Sequence, residues 1–170
     1  LYFLNGIGAN GKSVIANWLL EAMGDYGIKL GPSIVTQKRG GAESASPEVA
    51  SLQSKRFVFM EEPDETPGSA INHGILKEWS GGGTIRARRL YAEPFNFNIM
   101  FKLFFACNSF PNITTEPAMW RRLKVVEFRS KFKKSDSILN NSEEEPDTEF
   151  YRDERVSDPA FIKEHIPQFM

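Results

Sequence analysis

The sequence predicts an α/β fold with a mainly parallel central sheet flanked by helices. Three observations carry that prediction. Short, unbroken apolar runs recur along the chain, segments of helical period lie between them, and a glycine-rich turn stands where the first run meets the first helix. A run such as Phe57-Val58-Phe59-Met60, with no polar alternation, suits a strand covered on both faces, as in parallel sheets.

Residues 1–4 read as a buried strand and residues 5–11 as the glycine-rich turn. From Lys12 onward Val14, Ile15, Trp18, Leu19 and Ala22 repeat at three and four residues, predicting a helix that stops at Gly24. Residues 28–35 predict one or two short strands broken by Gly31-Pro32, followed by a polar loop. Ser46-Pro47-Glu48 opens a helix, a capping residue before proline at the first helical position, with Val49, Ala50 and Leu52 on its buried side. The apolar strand 56–60 ends in Glu61-Glu62. A helix over 70–79 then runs into Gly81-Gly82-Gly83. Residues 84–97 alternate loosely and carry Pro94, which predicts a protruding β-hairpin rather than a central strand. A buried strand at 103–107 ends in Asn108, a short helix covers 116–122, and 123–128 is a last strand. The Ser/Asn/Glu-rich residues 135–148 predict a linker or loop. The expected division is a core over 1–129 and a basic-to-acidic linker and tail over 130–170, with membership of a C-terminal subdomain as the alternative for that stretch. A domain that starts on its first core strand further predicts a piece of a longer protein.

The 170 residues suffice for one domain with a real core, and 41% hydrophobic with 25% charged residues is ordinary for a soluble globular chain. No apolar run approaches the roughly 20 residues that span a bilayer, and no signal-peptide pattern opens the chain. The single Cys107 excludes an intrachain disulfide framework, and with only His73 and His165 beside it a structural zinc site is not expected. The net charge of −1 hides an asymmetry. Residues 1–76 carry a net of −2, residues 77–134 a net of +8, and residues 135–170 a net of −7. A basic middle segment is a prior for binding polyanions.

Gly6-Ile7-Gly8-Ala9-Asn10-Gly11-Lys12-Ser13 matches the phosphate-loop (P-loop) pattern G-x-x-x-x-G-K-[ST] between a strand and a helix. Its glycines let backbone N–H groups turn inward around phosphates. Lys12 reaches the terminal phosphates, the Ser13 hydroxyl holds Mg²⁺, and the helix offers its positive end, Val14 included. Nucleotide binding, by ATP with Mg²⁺, is the expectation. Glu61 and Glu62, after a buried strand, are candidates for holding the Mg²⁺ shell and polarising an attacking water; as a bare pair they also suit a solvated strand end. Asn108 either senses the terminal phosphate or opens a turn into Ser109-Phe110-Pro111. Arg121 and Arg122 are either arginines that enter a neighbouring subunit's site or surface charges at a helix end. Arg86, Arg88, Arg89 and Tyr91, near the hairpin tip, suit a sequence-tolerant single-strand surface, or an edge kept soluble by charge.

Taken in order, these landmarks resemble the superfamily 3 helicases, most closely the primase–helicase NTPases of large DNA viruses, phages and plasmids. The phosphate loop, the 56–62 acidic strand, the stretch from Leu76-Lys77-Glu78-Trp79 through Glu93-Pro94-Phe95, the 102–108 sensor strand and Trp120-Arg121-Arg122 each have a counterpart. The likeness covers residues 1–128. It implies a P-loop NTPase core of AAA+-like type with a β-hairpin insertion before the sensor strand. It further implies ATP hydrolysis at subunit interfaces of a homo-oligomeric, usually hexameric, ring and 3′→5′ movement on single-stranded DNA. A fused or associated primase, no membrane, and an intracellular site of viral replication or a bacterial cytoplasm complete what it implies. Catalytic roles fall on Lys12, Glu61, Glu62, Asn108, Arg121 and Arg122, and nucleotide contacts on Gly6, Gly8, Ala9, Asn10, Gly11, Lys12, Ser13 and Val14. Ser13, Glu61 and Glu62 would hold the metal, and Lys77, Arg86, Arg88, Arg89 and Tyr91 the DNA. The sequence departs from the family at Glu61, where Ser or Asp is common, and at Gly83, where an acidic residue is common. A small-molecule P-loop kinase and a non-catalytic nucleotide-gated assembly protein are the alternatives.

Overall fold

A computed structural model describes residues 1–36, 45–61, 71–109, 117–133 and 149–168. Its strands, in chain order, are β1 (Tyr2–Asn5), β2 (Gly27–Leu30), β3 (Phe57–Met60), β4 (Thr84–Ala87), β5 (Phe95–Asn98), β6 (Lys102–Cys107), β7 (Lys124–Glu127), β8 (Lys131–Lys133) and β9 (Glu149–Tyr151). Five of them form one all-parallel sheet in the order β2-β3-β6-β1-β7. The helices are α1 (Lys12–Met23), α2 (Ser33–Thr36), α3 (Pro47–Ala50), α4 (His73–Gly81), α5 (Pro117–Trp120) and α6 (Pro159–His165). The α/β class and the parallel central sheet are therefore as the sequence predicts.

Strand periodicity sorts the apolar residues onto the two faces. On β3, Phe57 and Phe59 join Leu4, Ala106 and Ala16 in a cluster beneath α1. Val58 and Met60 face the other way and join Phe3, Leu103, Phe105 and the α4 residues Ile75, Leu76 and Trp79. All four β3 residues are buried, which is why that segment tolerates no polar alternation. The edge strand β7 is exposed at every position.

Local signals explain most of the boundaries. Gly24, at φ +50°, ends α1. Asn72 caps α4 by accepting from the N–H groups of Gly74 (3.0 Å) and Ile75 (3.2 Å), and Gly82 closes its far end in the left-handed region. β4 and β5 pair antiparallel from Thr84↔Asn98 to Ala87↔Phe95, with Ile85, Ala87 and Phe97 turned into the core.

Two local expectations change. Of the one or two strands read over 28–35 only β2 forms: residues 33–36 are the helix α2, which buries Ile34 and Val35. Ile15 is 48% exposed, and Ala16 is the α1 residue that sits fully under the sheet. Beyond Arg129 the described residues hold further regular elements. β8 and β9 pair parallel, and α6 lies against α1, where Trp18 Nε1 donates to the carbonyl of Val156 (2.8 Å) and the Trp18 ring meets Phe161 edge-on. Strands of three residues and a helix of seven are too short to show a period in the sequence. The expected linker over 135–148 lies outside the described residues.

Candidate nucleotide site and hairpin

Parallel strands align their carboxyl ends, so the loops leaving β1, β3 and β6 emerge at one edge of the sheet. Asn5 stands beside Cys107, and Met60 beside Phe105. The phosphate-loop residues, Glu61 and Asn108 all follow from those ends.

The loop is fastened from both flanks. Gly6 N–H donates to the Cys107 carbonyl (3.2 Å) on the β6 side. On the β7 side, Phe128 N–H donates to Asn5 (2.8 Å) and Phe132 N–H to the carbonyl of Ala9 (2.7 Å). A Cβ at Gly6 would stand 2.5 Å from the Phe128 carbonyl oxygen and 2.3 Å from Asn10 Nδ2, so only glycine lets these segments close. Gly11, at φ +87°, turns the chain into α1 through a conformation costly to other residues.

Lys12 is buried, and its ammonium donates to the carbonyl of Gly6, to Asn10 Oδ1 (3.1 Å) and to Asn108 Oδ1 (3.4 Å). Asn10, equally buried, holds the arrangement to the β7 side through Nδ2 to the Phe128 carbonyl (3.4 Å). A cation in a dry site needs such a set of oxygens. Phosphate oxygens are the chemistry that could take their place. Lys12 and Asn108, 96 residues apart in sequence, thus meet.

The remaining candidates divide. Ser13 is exposed at the start of α1, and Gly8, Ala9 and Val14 follow the loop's course. Glu61 lies beyond β3 and pairs with Lys29 on β2 (2.9 Å), both about half exposed. Glu62 lies outside the described residues. A hydroxyl and a carboxylate suit Mg²⁺, a hard cation that keeps waters and takes its other oxygens from phosphates; among the described residues no cluster of three His, Cys, Asp or Glu side chains is placed to hold a metal unaided. Arg121 is exposed with its guanidinium unpartnered among the described residues, whereas Arg122, just past α5, donates back to the Ala118 carbonyl of that helix.

At the hairpin the arginines do different work. Arg88 exchanges backbone and hydroxyl hydrogen bonds with Ser46 (2.8 and 3.2 Å), and its Nε closes the turn onto the Ala92 carbonyl (2.9 Å). Arg89 donates to Gln53 Oε1 (2.7 Å) and lies 4.5 Å over the Phe95 ring. What projects is Arg86, exposed on β4, with Leu90 and a fully exposed Tyr91 at φ +55°. Leu90 is not among the site candidates read from the sequence, since a leucine between arginine and tyrosine carries no signal that it will be 61% exposed. Lys77 is half-buried on α4.

Residues 4–122 match the protein family described as a family of unknown function, DUF5906. The chain belongs to this family. Curated relatives of this DUF5906 chain include "Putative helicase L207/L206" of Acanthamoeba polyphaga mimivirus, 39% identical over 160 residues, which cover 92% of this chain and 16% of that protein. Another is "Putative helicase 022R" of Frog virus 3 (isolate Goorha), 38% identical over 137 residues, covering 76% of this chain and 14% of that one. The DUF5906 chain therefore spans about one sixth of the length of these relatives, and the resemblance to helicases of large DNA viruses holds. Among solved structures, the A form apo structure of the NrS-1 C-terminal region superposes with a TM-score of 0.63 at 15% identity, covering 99% of this chain and 34% of that one. A second apo structure of the same region gives 0.60 at 13% identity. At that identity the likeness is one of fold. No helix among the described residues is long and apolar enough to cross a membrane.

Proposed function

We propose that this DUF5906 chain is the ATP-hydrolysing motor core of a viral or phage-like DNA helicase, part of a longer protein that carries or recruits a primase. The observation that carries the reading is the meeting of Lys12 with Asn108 at the carboxyl ends of β1 and β6. The contact supports roles for Lys12 as the phosphate-binding cation and for Asn108 as the terminal-phosphate sensor. In this reading the loop N–H groups and Lys12 hold the phosphates of ATP, and Ser13 with Glu61 holds Mg²⁺, which neutralises developing charge when bound. Glu62 orients the water. Arg121, exposed and unpartnered among the described residues, reaches a neighbouring copy's site, and Arg122 is second choice because α5 engages it. The assembly is a ring, hexameric by the resemblance, with Arg86, Arg88, Arg89, Tyr91 and Lys77 toward single-stranded DNA.

The test is a DNA-stimulated ATPase assay on the full-length parent, comparing wild type, Lys12→Ala, Arg121→Ala and an equal mixture of the two variants. Each variant alone should lose turnover. Mixed rings should regain part of it, because some sites pair an intact Lys12 with a neighbour's intact Arg121. No recovery in rings shown to be mixed refutes the role in trans. Turnover indifferent to DNA refutes the helicase and favours the kinase.

A further inference from the structure

We propose that the β8–β9 pair is the seat of the nucleotide's base, with Phe132 and Phe150 as its stacking surface. The inference rests on the nucleotide reading above and adds to it where the base goes.

The direction comes from the sheet. β1 has β6 on one flank and β7 on the other. Asn108, at the end of β6, marks the terminal-phosphate side, so a phosphate chain lying along the loop runs away from it, toward β7 and the segment that follows. That segment leads directly into β8. Phe132 N–H is bonded to the loop at Ala9, and the edge of its ring lies 3.4 Å from where a Cβ on Gly11 would stand. A nucleoside whose phosphates sit in the loop has its base within reach of this ring.

The surface there has the chemistry that a base requires. Phe132 and Phe150 are register partners with ring centroids 5.9 Å apart, and they are 36% and 49% exposed. The pair is braced by the ion pair of Lys133 with Glu149 (2.5 Å). Ile15 is one turn on from Gly11, on the same helix face, and is likewise half exposed. Its place on a face the helical period marks as buried is accounted for by a ligand that covers it. Aromatic faces accept any base by stacking, a contact strong enough to change affinity about five- to 150-fold.

The test measures binding of ATP and of inorganic tripolyphosphate to this chain and to Phe150→Ala, Phe132→Ala and Phe132→Trp. Wild type should bind ATP more tightly than tripolyphosphate. Phe150→Ala, which touches no loop bond, should weaken ATP at least fivefold and leave tripolyphosphate unchanged. Phe132→Trp should keep ATP binding, and its indole fluorescence should be quenched by ATP but not by tripolyphosphate. Equal losses for both ligands would mean that the aromatics only shape the loop, and would overturn the base seat. So would ATP affinity unmoved in both alanine variants. A wild-type chain that binds neither ligand overturns the nucleotide reading and the seat together, so the two failures are told apart.

Discussion

Replacing Asn10 with alanine tests whether the Lys12 cluster is a built polar site. Lys12 is 7% exposed, and its ammonium has three oxygens for company. The substitution removes Asn10 Oδ1 at 3.1 Å and leaves the Gly6 carbonyl and the longer contact to Asn108. A hydrogen bond to a charged group contributes about 1.5–3 kcal/mol when one partner is deleted, and the weak 3.4 Å bond to Phe128 adds little. At about 2.1 cal/mol/K of unfolding entropy per residue, 170 residues convert this into a Tm lower by roughly 4–8 °C. The assay is thermal and urea denaturation of wild type, Asn10→Ala, Lys12→Met and the double variant. Because the loss belongs to the buried cation, Asn10→Ala should cost less than about 1 kcal/mol once Lys12 is methionine. Equal losses in both backgrounds would show that Asn10 only props the loop, and would refute the reasoning.

Gly6→Ala forces a Cβ to 2.5 Å from the Phe128 carbonyl, so the loop must shift; denaturation should show a loss of about 2 kcal/mol or more, with phosphate binding lost as well. Lys29→Met removes a half-exposed ion pair with Glu61, so stability should move by less than about 1 kcal/mol, and a larger drop by urea titration would mean Glu61 is structurally tied rather than available. The Arg155 side chain, and then its backbone N–H, hold the Asp153 carboxyl below the usual carboxylate range. Its contribution is therefore present above the unfolded value and is lost as pH falls through the folded one. In Arg155→Ala the NMR titration midpoint of Asp153 should rise toward about 3.9, and no rise would refute the pairing.

Where residues act through their neighbours in sequence, the chain could be read directly. The loop pattern is legible because it is contiguous: Gly6, Gly11, Lys12 and Ser13 follow one another between a strand and a helix. The all-apolar β3 announces burial on both faces, and Pro94 with loose alternation announces a strand pair apart from the main sheet. Asn108 was legible only as a polar residue after an apolar run, equally suited to a turn. Its contact with Lys12 became visible only when β6 was found beside β1. Arg121 and Arg122 are indistinguishable as adjacent letters, and separate once one is seen exposed and the other bonded back to α5. The hairpin arginines likewise read as one cluster, although Arg88 and Arg89 brace the turn while Leu90 and Tyr91 project from it.

The sequence alone determined the α/β class, the main core strands and the helices α1 and α4, the G-x-x-x-x-G-K-S pattern and the viral-helicase resemblance, because periodicity and a contiguous motif are local properties. Only the tertiary structure decided that Lys12 meets Asn108, that Asn10 ties the loop to Phe128, and that the stretch beyond Arg129 returns to pack on the loop and α1. Those contacts join residues up to about 140 positions apart. Short β8 and β9 carry no period of their own; their parallel pairing and the Phe132 bond to the loop at Ala9 exist only in the folded chain.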